Sequence, residues 1–454
     1  MSYQPAASLS PALKHRSAWS GIIQRLFRDY RVAFAVRLWD GETIFIGRSM
    51  PHFTLVFKSP EVFRDSILRR DPRRLAHAYF SGGLDVEGDL YRALNLGNFP
   101  GLRSIRFIDR IRVLVKALAL GFSPAAEAHW VGRREGAGGA HAAHREMRCP
   151  AITFQGDLPG EFYRAWLGEK MVCSCAHFED EKTSLADAQD HELEQICRKL
   201  QLKPGERMLD IDCGWGALAM HAARHHGVQA TGVTSGQAQY DWARRRVRED
   251  GLEGKVTIEL LDYRNITGDT CFDKISSVGI FQPAGPEILS TRFDTIHRLL
   301  TPGGLFLGRG IVNDGQADRK KSPASAFIGR DVFADGERHS IGDVRQALEL
   351  AQFELREVEG LRQHCASTLR KWVSQLDAAR NEALRHVDEA TLRMWRLYMA
   401  GSALHFENGD IGAYQILASK REPGTLPVPL TREDRYSRAP QARSAQKRRA
   451  VTAL

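Results

Sequence analysis

Asp210, Asp212, Gly214 and Gly216 lie within one short run, LDIDCGWGALAM, from Leu209 to Met220. The run reads as an apolar strand end, a glycine-bearing turn and the start of a helix. Such a corner lets a ligand come close to the backbone at a helix N-terminus, where N–H groups point outward without intrahelical partners. Glycine is required there because a side chain would fill the ligand's space or forbid the turn. The spacing fits neither GxGxxG nor GxxxxGK[ST]. Asp212 stands where another glycine is expected, and it needs both room and a backbone conformation that a side chain tolerates.

Two further strand ends carry polar groups. ATGVT ends at Thr234 and is followed by Gln237 and Gln239, an uncharged set where dinucleotide enzymes place an acid for the ribose hydroxyls. The next strand ends in Asp262, Tyr263 and Arg264. Asp262 can accept from an exocyclic amine such as adenine's, and Tyr263 offers a ring face. A surface turn is the plainer alternative for this trio. The first corner fits the D-x-G-x-G-x-G loop of class I S-adenosylmethionine methyltransferases, with Asp212 in place of one glycine.

Positioning these ends requires a sheet. From about residue 160 to 420, strand-like runs alternate with helical patterns: MLDID, a helix over 217–226, QATGVT, a helix over 237–250, VTIELLD, KISSVGI, a helix through 287–300, and GGLFLGRGIV. Alternation of this kind predicts a parallel sheet covered by helices on both faces. Upstream, residues 21–30 have helical apolar spacing, and VRLWDGETIFIG (36–47) predicts two short strands around an Asp40-Gly41 turn. Residues 60–98 read as helical. RIRVLVKALALGF (110–122) predicts an apolar helix, either packed or resting on a bilayer surface. VGRREGAGGAHAAHRE (131–146) reads as a linker or loop.

The 454 residues, 43% of them hydrophobic, suffice for two or three domains with a real core. No run of about 18–20 apolar residues predicts a membrane span, and the first twenty residues show no apolar core followed by a cleavage site, so secretion is not expected. The net charge is +9, of which residues 431–454 contribute +5 with seven Lys/Arg against two Asp/Glu. A basic tail can meet an anionic membrane face or nucleic acid, or be a solvated end; no dedicated nucleic-acid module is present. Seven scattered cysteines without CxxC spacing predict reduced thiols, with neither disulfides nor a metal site.

With the three corners in place, the chain resembles the cyclopropane-fatty-acid synthase family over about residues 30–420. AYFSGGLDVEGDL resembles a segment of the family's lipid-binding domain, and DLPGEFYRAWLGEKMVCSCAHF resembles its active-site crossing. LQLKPGERMLDIDCGWGALA, GVTSGQAQ and LLDYRNI resemble its cofactor loops, and WRLYMAGSALHFENGDIGAYQILASK its C-terminal end. The resemblance implies a Rossmann-like class I methyltransferase sheet over 161–422, with helices on both faces. It also implies a smaller α+β lipid-binding domain over 31–125, an approach segment over 126–160, an extension over 1–30 and a basic tail over 423–454. S-adenosylmethionine is the implied cofactor, met by Ser174, Asp210, Asp212, Gly214, Gly216, Thr234, Gln239, Asp262, Tyr263 and Arg264. Phospholipid acyl chains are the implied substrate, reached from the cytoplasmic face of the membrane, by a homodimer or with a partner subunit as possible arrangements. In the family, the alkene takes the sulfonium methyl and a bound bicarbonate removes a proton so that the ring closes.

The departures from the family gather on that last step. Cys175 matches the family's Cys. The family's Phe-Glu-His-Val-Gly is here Phe281-Gln282-Pro283-Ala284-Gly285, so Gln282 lacks the carboxylate charge and Pro283 lacks a donor. Arg309 replaces a His and predicts either an anion site or a salt bridge. Cys365 aligns with a Tyr, Cys173 with another, and His177 with an aromatic, where it is a replacement base or a packed side chain. Cys175, Gln282 and Arg309 are therefore the expected catalytic set. The altered base site predicts methylated or unsaturated acyl products instead of a cyclopropane. The alternatives are an acyl-chain desaturase and a non-catalytic homologue that binds lipid or partners an active subunit.

Overall fold

A computed structural model describes residues 20–27, 30–63, 72–96, 158–279, 286–313, 339–424 and 431. The segments 110–122 and 131–146, most of the basic tail and Gln282 lie outside these residues. The described chain forms two units.

The first unit holds the described residues up to Trp166 and Leu369–Asp410; the latter stretch falls within the 161–422 segment assigned above to the methyltransferase. Its elements are α1 (Ser20–Leu26), β1 (Phe34–Arg37), β2 (Thr43–Ile46), β3 (Phe53–Phe57), α2 (Pro72–Phe80), β4 (Leu84–Gly88) and α3 (Leu90–Asn95). The strands pair in the order β2-β1-β3-β4. The β1–β2 hairpin turns at Asp40-Gly41 as expected: Gly41 has φ +88°, and Asp40 accepts from the Glu42 amide at 3.0 Å. The reading of 60–98 as helical is corrected at Leu84–Gly88. This stretch pairs antiparallel with β3 and closes the sheet edge, after a turn at Gly82 with φ +76° that no helix continues through. Phe34 stacks on Phe53 at 5.0 Å in the core of this unit.

The second unit carries α5 (Leu185–Lys199), β5 (Arg207–Ile211), α6 (Ala217–His226), β6 (Gln229–Thr234), α7 (Gln237–Glu249), β7 (Val256–Leu260), β8 (Phe272–Val278), α8 (Pro286–Leu299), β9 (Leu300–Val312), α9 (Ile341–Leu350), β10 (Phe353–Gly360) and β11 (Gly412–Lys420). The helix α4 (Gly160–Leu167) precedes them. The helices α10 (Arg362–Ala378), α11 (Arg380–Ala383) and α12 (Glu389–Asn408) lie between β10 and β11 in the chain. Seven strands run in the order β10-β11-β9-β8-β5-β6-β7. β9, β8, β5, β6 and β7 are mutually parallel, and β11 is antiparallel to both neighbours. The strand–helix alternation read from 207 onward is thus realised element for element. Cores on both faces explain why β5 is buried at four consecutive positions and does not alternate. In this order β5, β6 and β8 lie side by side at the centre of the parallel block, so their C-terminal ends share one edge. No helix among the described residues is long and apolar enough to cross a membrane.

Candidate active site

The cofactor corner forms at the end of β5. Asp212 has φ +58°, Gly214 +54° and Gly216 +83°, so three alternate residues take the left-handed conformation. Asp is among the few side chains that tolerate it, which is how the chain keeps the turn without the expected glycine. A Cβ on Gly216 would come within 3.1 Å of the Ala243 Cβ, while one on Gly214 would meet no described atom within 4 Å. The loop therefore packs tightly beneath Gly216 and leaves the backbone open at Gly214.

Asp210 is buried and accepts from the Ser276 hydroxyl at 2.7 Å. Burial pushes its carboxyl up to about 7, against the hydrogen bond from Ser276, and the charge of Asp212 adds to the rise. Asp212 itself keeps solvent-accessible surface, yet crowding by protein is the main influence raising its pKa, opposed by Arg292 of α8. Cys173 shows the same combination: it is exposed, but its thiol is raised to about 12 by desolvation and by Glu192.

The other two strand ends meet the same edge. The Thr234 hydroxyl donates to Gln239 Oε1 at 2.8 Å, so the first turn of α7 folds back on the end of β6. Asp262 caps the 3₁₀ turn Tyr263–Asn265 and is held by Arg264, whose Nε lies 2.9 and 3.0 Å from its two oxygens. Its carboxylate thus comes already paired. Tyr263 is not the free ring face expected: it is buried among Leu209, Ile211 and Val233, and burial pushes its hydroxyl up to about 12. Arg292, Asp262 and Arg264 all act electrostatically on Asp212 here. Arg292 was missed in the sequence because it lies mid-helix, with no motif around it.

The catalytic set is rearranged more deeply. Cys175 and Cys365 form a disulfide, with Cα atoms 4.8 Å apart across 190 residues. This corrects the expectation of reduced thiols, since sequence spacing carries no information about a bond between chain-distant residues. Arg309, on β9, is buried and ion-paired with Glu192 of α5, which is fully buried. Arg309 Nη1 also donates to the Cys175 carbonyl at 3.1 Å, and the Ser174 hydroxyl donates to Glu192 at 2.5 Å. Burial raises the Glu192 pKa, and Arg309 chiefly opposes it. Of the two readings left open for Arg309, the salt bridge is the one formed. Its charge is already neutralised, and a carbonate-like anion there would face the Glu192 carboxylate. With Cys175 also committed to the disulfide, these residues do not fit a bicarbonate site.

His177 stacks on His364 at 4.5 Å. Burial first, and then His364, push it down to about 4, so its ring is neutral near pH 7. Lys199, which acts electrostatically on His177, is buried with Glu357 at 2.9 Å, Gln415 at 2.8 Å and Glu359. Glu192, Lys199 and Glu357 were invisible to sequence reading, because charged residues on a helix and a strand ordinarily face solvent.

The profile of the family described as mycolic acid cyclopropane synthetase matches residues 144–416. The chain belongs to this family. A probable fatty acid methyltransferase of Pseudomonas putida is 34% identical over 405 residues, covering 88% of this chain and 95% of that protein. The cyclopropane-fatty-acyl-phospholipid synthase of Escherichia coli strain K12 is 34% identical over 264 residues, 58% of this chain and 66% of its own. Among solved structures, the cyclopropane synthase MmaA2 of Mycobacterium tuberculosis aligns with a TM-score of 0.54 at 27% identity, covering 58% of this chain and 95% of that one. The mycolic acid cyclopropane synthase CmaA1 complexed with SAH and CTAB aligns at 28% identity and the same TM-score, again over 58% and 95%. The family and the class I methyltransferase sheet inferred from the sequence are both borne out.

Proposed function

We propose that this protein is an S-adenosylmethionine-dependent methyltransferase acting on the double bond of unsaturated acyl chains in phospholipids, and that its product is a methyl-branched unsaturated chain instead of a cyclopropane. Membership of the family and the SAH carried by CmaA1 support the cofactor and the acyl substrate. The residues present fit that cofactor: an open backbone at Gly214, the αL turn into α6, and polar groups at three adjacent strand ends. When bound, S-adenosylmethionine supplies an electrophilic methyl group.

The chain's own residues do the positioning, which is the main demand of methyl transfer. Gly214 admits the ligand to the backbone and Gly216 lets the loop pack closely on Ala243 of α7, while Thr234, Gln239 and the Asp262–Arg264 pair offer the polar contacts. Arg292 offsets the charge of Asp212.

The observation that carries the product assignment is the Arg309–Glu192 ion pair beside the Cys175–Cys365 disulfide. Where the family's ring-closing base is expected, this chain has a neutralised pair. With the methyl supplied by the bound cofactor, the alkene's electron pair would form the new C–C bond as the methyl–sulfur bond breaks, its electron pair leaving with the neutral thioether, and a cation would remain on the neighbouring chain carbon. A proton lost from an adjacent chain carbon then restores a double bond, with no external oxidant or reductant. Protons beside such a cation are so acidic that a weak, unprotonated acceptor suffices. His177, two residues beyond Cys175 and neutral at pH 7, is that acceptor in this reading. Mass spectrometry and NMR of acyl chains from an expressing host test it. Methyl-branched unsaturated chains are expected, and abundant cyclopropane would overturn the product assignment.

A further inference from the structure

On the second unit's helices α5 and α6, away from the strand-end corners, Cys197, His221 and His226 bring one sulfur and two imidazole nitrogens within 4.8 Å of one another. Glu194, one turn before Cys197 on α5, adds a carboxylate: its Oε2 lies 3.3 Å from His221 Nε2 and 3.1 Å from His226 Nε2. The other carboxylate oxygen, Oε1, accepts from Arg198 Nε at 2.7 Å, which fixes the carboxylate's orientation. We propose that Cys197, His221 and His226, with Glu194 beside them, form a binding site for a zinc-like divalent metal ion that ties α5 to α6.

The donor set argues for that class of ion. One thiolate and two imidazoles suit zinc and its neighbours, whereas magnesium and calcium require oxygen. Bonds of about 2.0–2.3 Å in a tetrahedron set ligand–ligand separations of roughly 3.3–3.6 Å. The three atoms thus need to close by about 1 Å, within the reach of side-chain rotation on helices already packed together. The geometry is also polarised. Cys197 is fully buried, while the two histidines are half-buried, so an ion can enter from the outer side and meet the sulfur last. Arg198 on the carboxylate is the kind of outer partner that orients metal ligands elsewhere.

The site has a structural consequence for the cofactor corner. Gly216 caps the N-terminus of α6, His221 lies at mid-helix and His226 is its last residue. A metal clip there would hold the helix whose N-terminus faces the ligand. His225 is exposed and, although its ring is 4.5 Å from that of His221, it is not one of the three donors; it serves as the control.

The test is titration of the purified, metal-stripped full chain with cobalt(II) and zinc. About one cobalt per chain is expected, with a thiolate-to-cobalt charge-transfer band and tetrahedral visible bands. Zinc should displace cobalt and raise the melting temperature by about 5 °C or more at 100-fold excess over Kd. His226→Gln should weaken binding by about 100-fold, Cys197→Ser should abolish the charge-transfer band, and His225→Gln should change neither. If either ligand variant misfolds, X-ray absorption at the zinc edge of the unmutated protein still decides, through a shell of one sulfur with nitrogen or oxygen neighbours. A shell lacking sulfur, no saturable binding, or binding unchanged in Cys197→Ser would overturn the proposal and leave Glu194 with its two histidines as a hydrogen-bonded clamp.

Discussion

Arg309 and Glu192 form an ion pair with both side chains withdrawn from water, and Arg309 also donates to the backbone carbonyl of Cys175. Placing a guanidinium and a carboxylate together in a methyltransferase core changes what the neighbouring loop can do. Each charge exists there only because of the other.

Breaking the pair from one side should therefore cost more than removing it. Arg309→Met alone is expected to destabilise the protein by about 3–5 kcal/mol, because it strands the Glu192 carboxylate in the core. The double variant Arg309→Met/Glu192→Leu should recover most of that loss. Urea unfolding of the unmutated protein, both single variants and the double variant measures it. Additive losses in the double variant would show that the two charges are not coupled.

Asp212→Gly tests the altered cofactor loop. Glycine removes a carboxylate already disfavoured by crowding, relieves a left-handed non-glycine residue and clears space beside the ligand's own carboxylate. Calorimetry should find S-adenosylmethionine bound about tenfold more tightly, equivalent to about 1.4 kcal/mol. Unchanged or weaker binding would mean that Asp212 makes a favourable contact with the cofactor's amino group.

The Cys175–Cys365 bond closes a loop of 190 residues. Removing such a crosslink should cost about 2–5 kcal/mol, largely by freeing the unfolded chain. Cys365→Ala should show that loss under oxidising conditions and none after thiol reduction of both proteins. Peptide mapping without reductant should recover the two cysteines in one linked species.

Asp210 gives stability a definite pH dependence. Its folded pKa of about 7 stands above the ordinary aspartate value of 3.8, so the folded protein holds a proton that the unfolded chain has released. Its contribution is intact below about pH 4 and is lost as pH rises to about 7. Asp210→Asn, which cannot ionise, should gain stability relative to the unmutated protein across that window and run parallel to it above. Chemical denaturation at pH 5, 6, 7 and 8 resolves the trend, and a constant difference across the series would contradict it.

Much of the second unit was legible in order. The strands ending at Ile211, Thr234 and Leu260 and the helices from Ala217 and Gln237 announce themselves through apolar runs, glycine turns and helical spacing, all of which act within a few residues. The same locality explains the β1–β2 hairpin, where Asp40-Gly41 supplies the turn geometry by itself. Leu84–Gly88 was misread because its strand character comes from pairing with β3, across some thirty residues of chain.

Sequence by itself determined the family, the parallel sheet and the composition of the cofactor loop, because these rest on local preference and on motifs whose residues are neighbours in the chain. It did not determine what the polar residues would do. Whether Arg309 holds an anion or a carboxylate depends on Glu192, 117 residues away, and whether Cys175 is a free thiol depends on Cys365. The grouping of Cys197 with His221 and His226 likewise appears only when α5 packs on α6. Charge pairing, disulfide formation and metal ligation all act through space over a few ångströms, so only the tertiary structure could decide them.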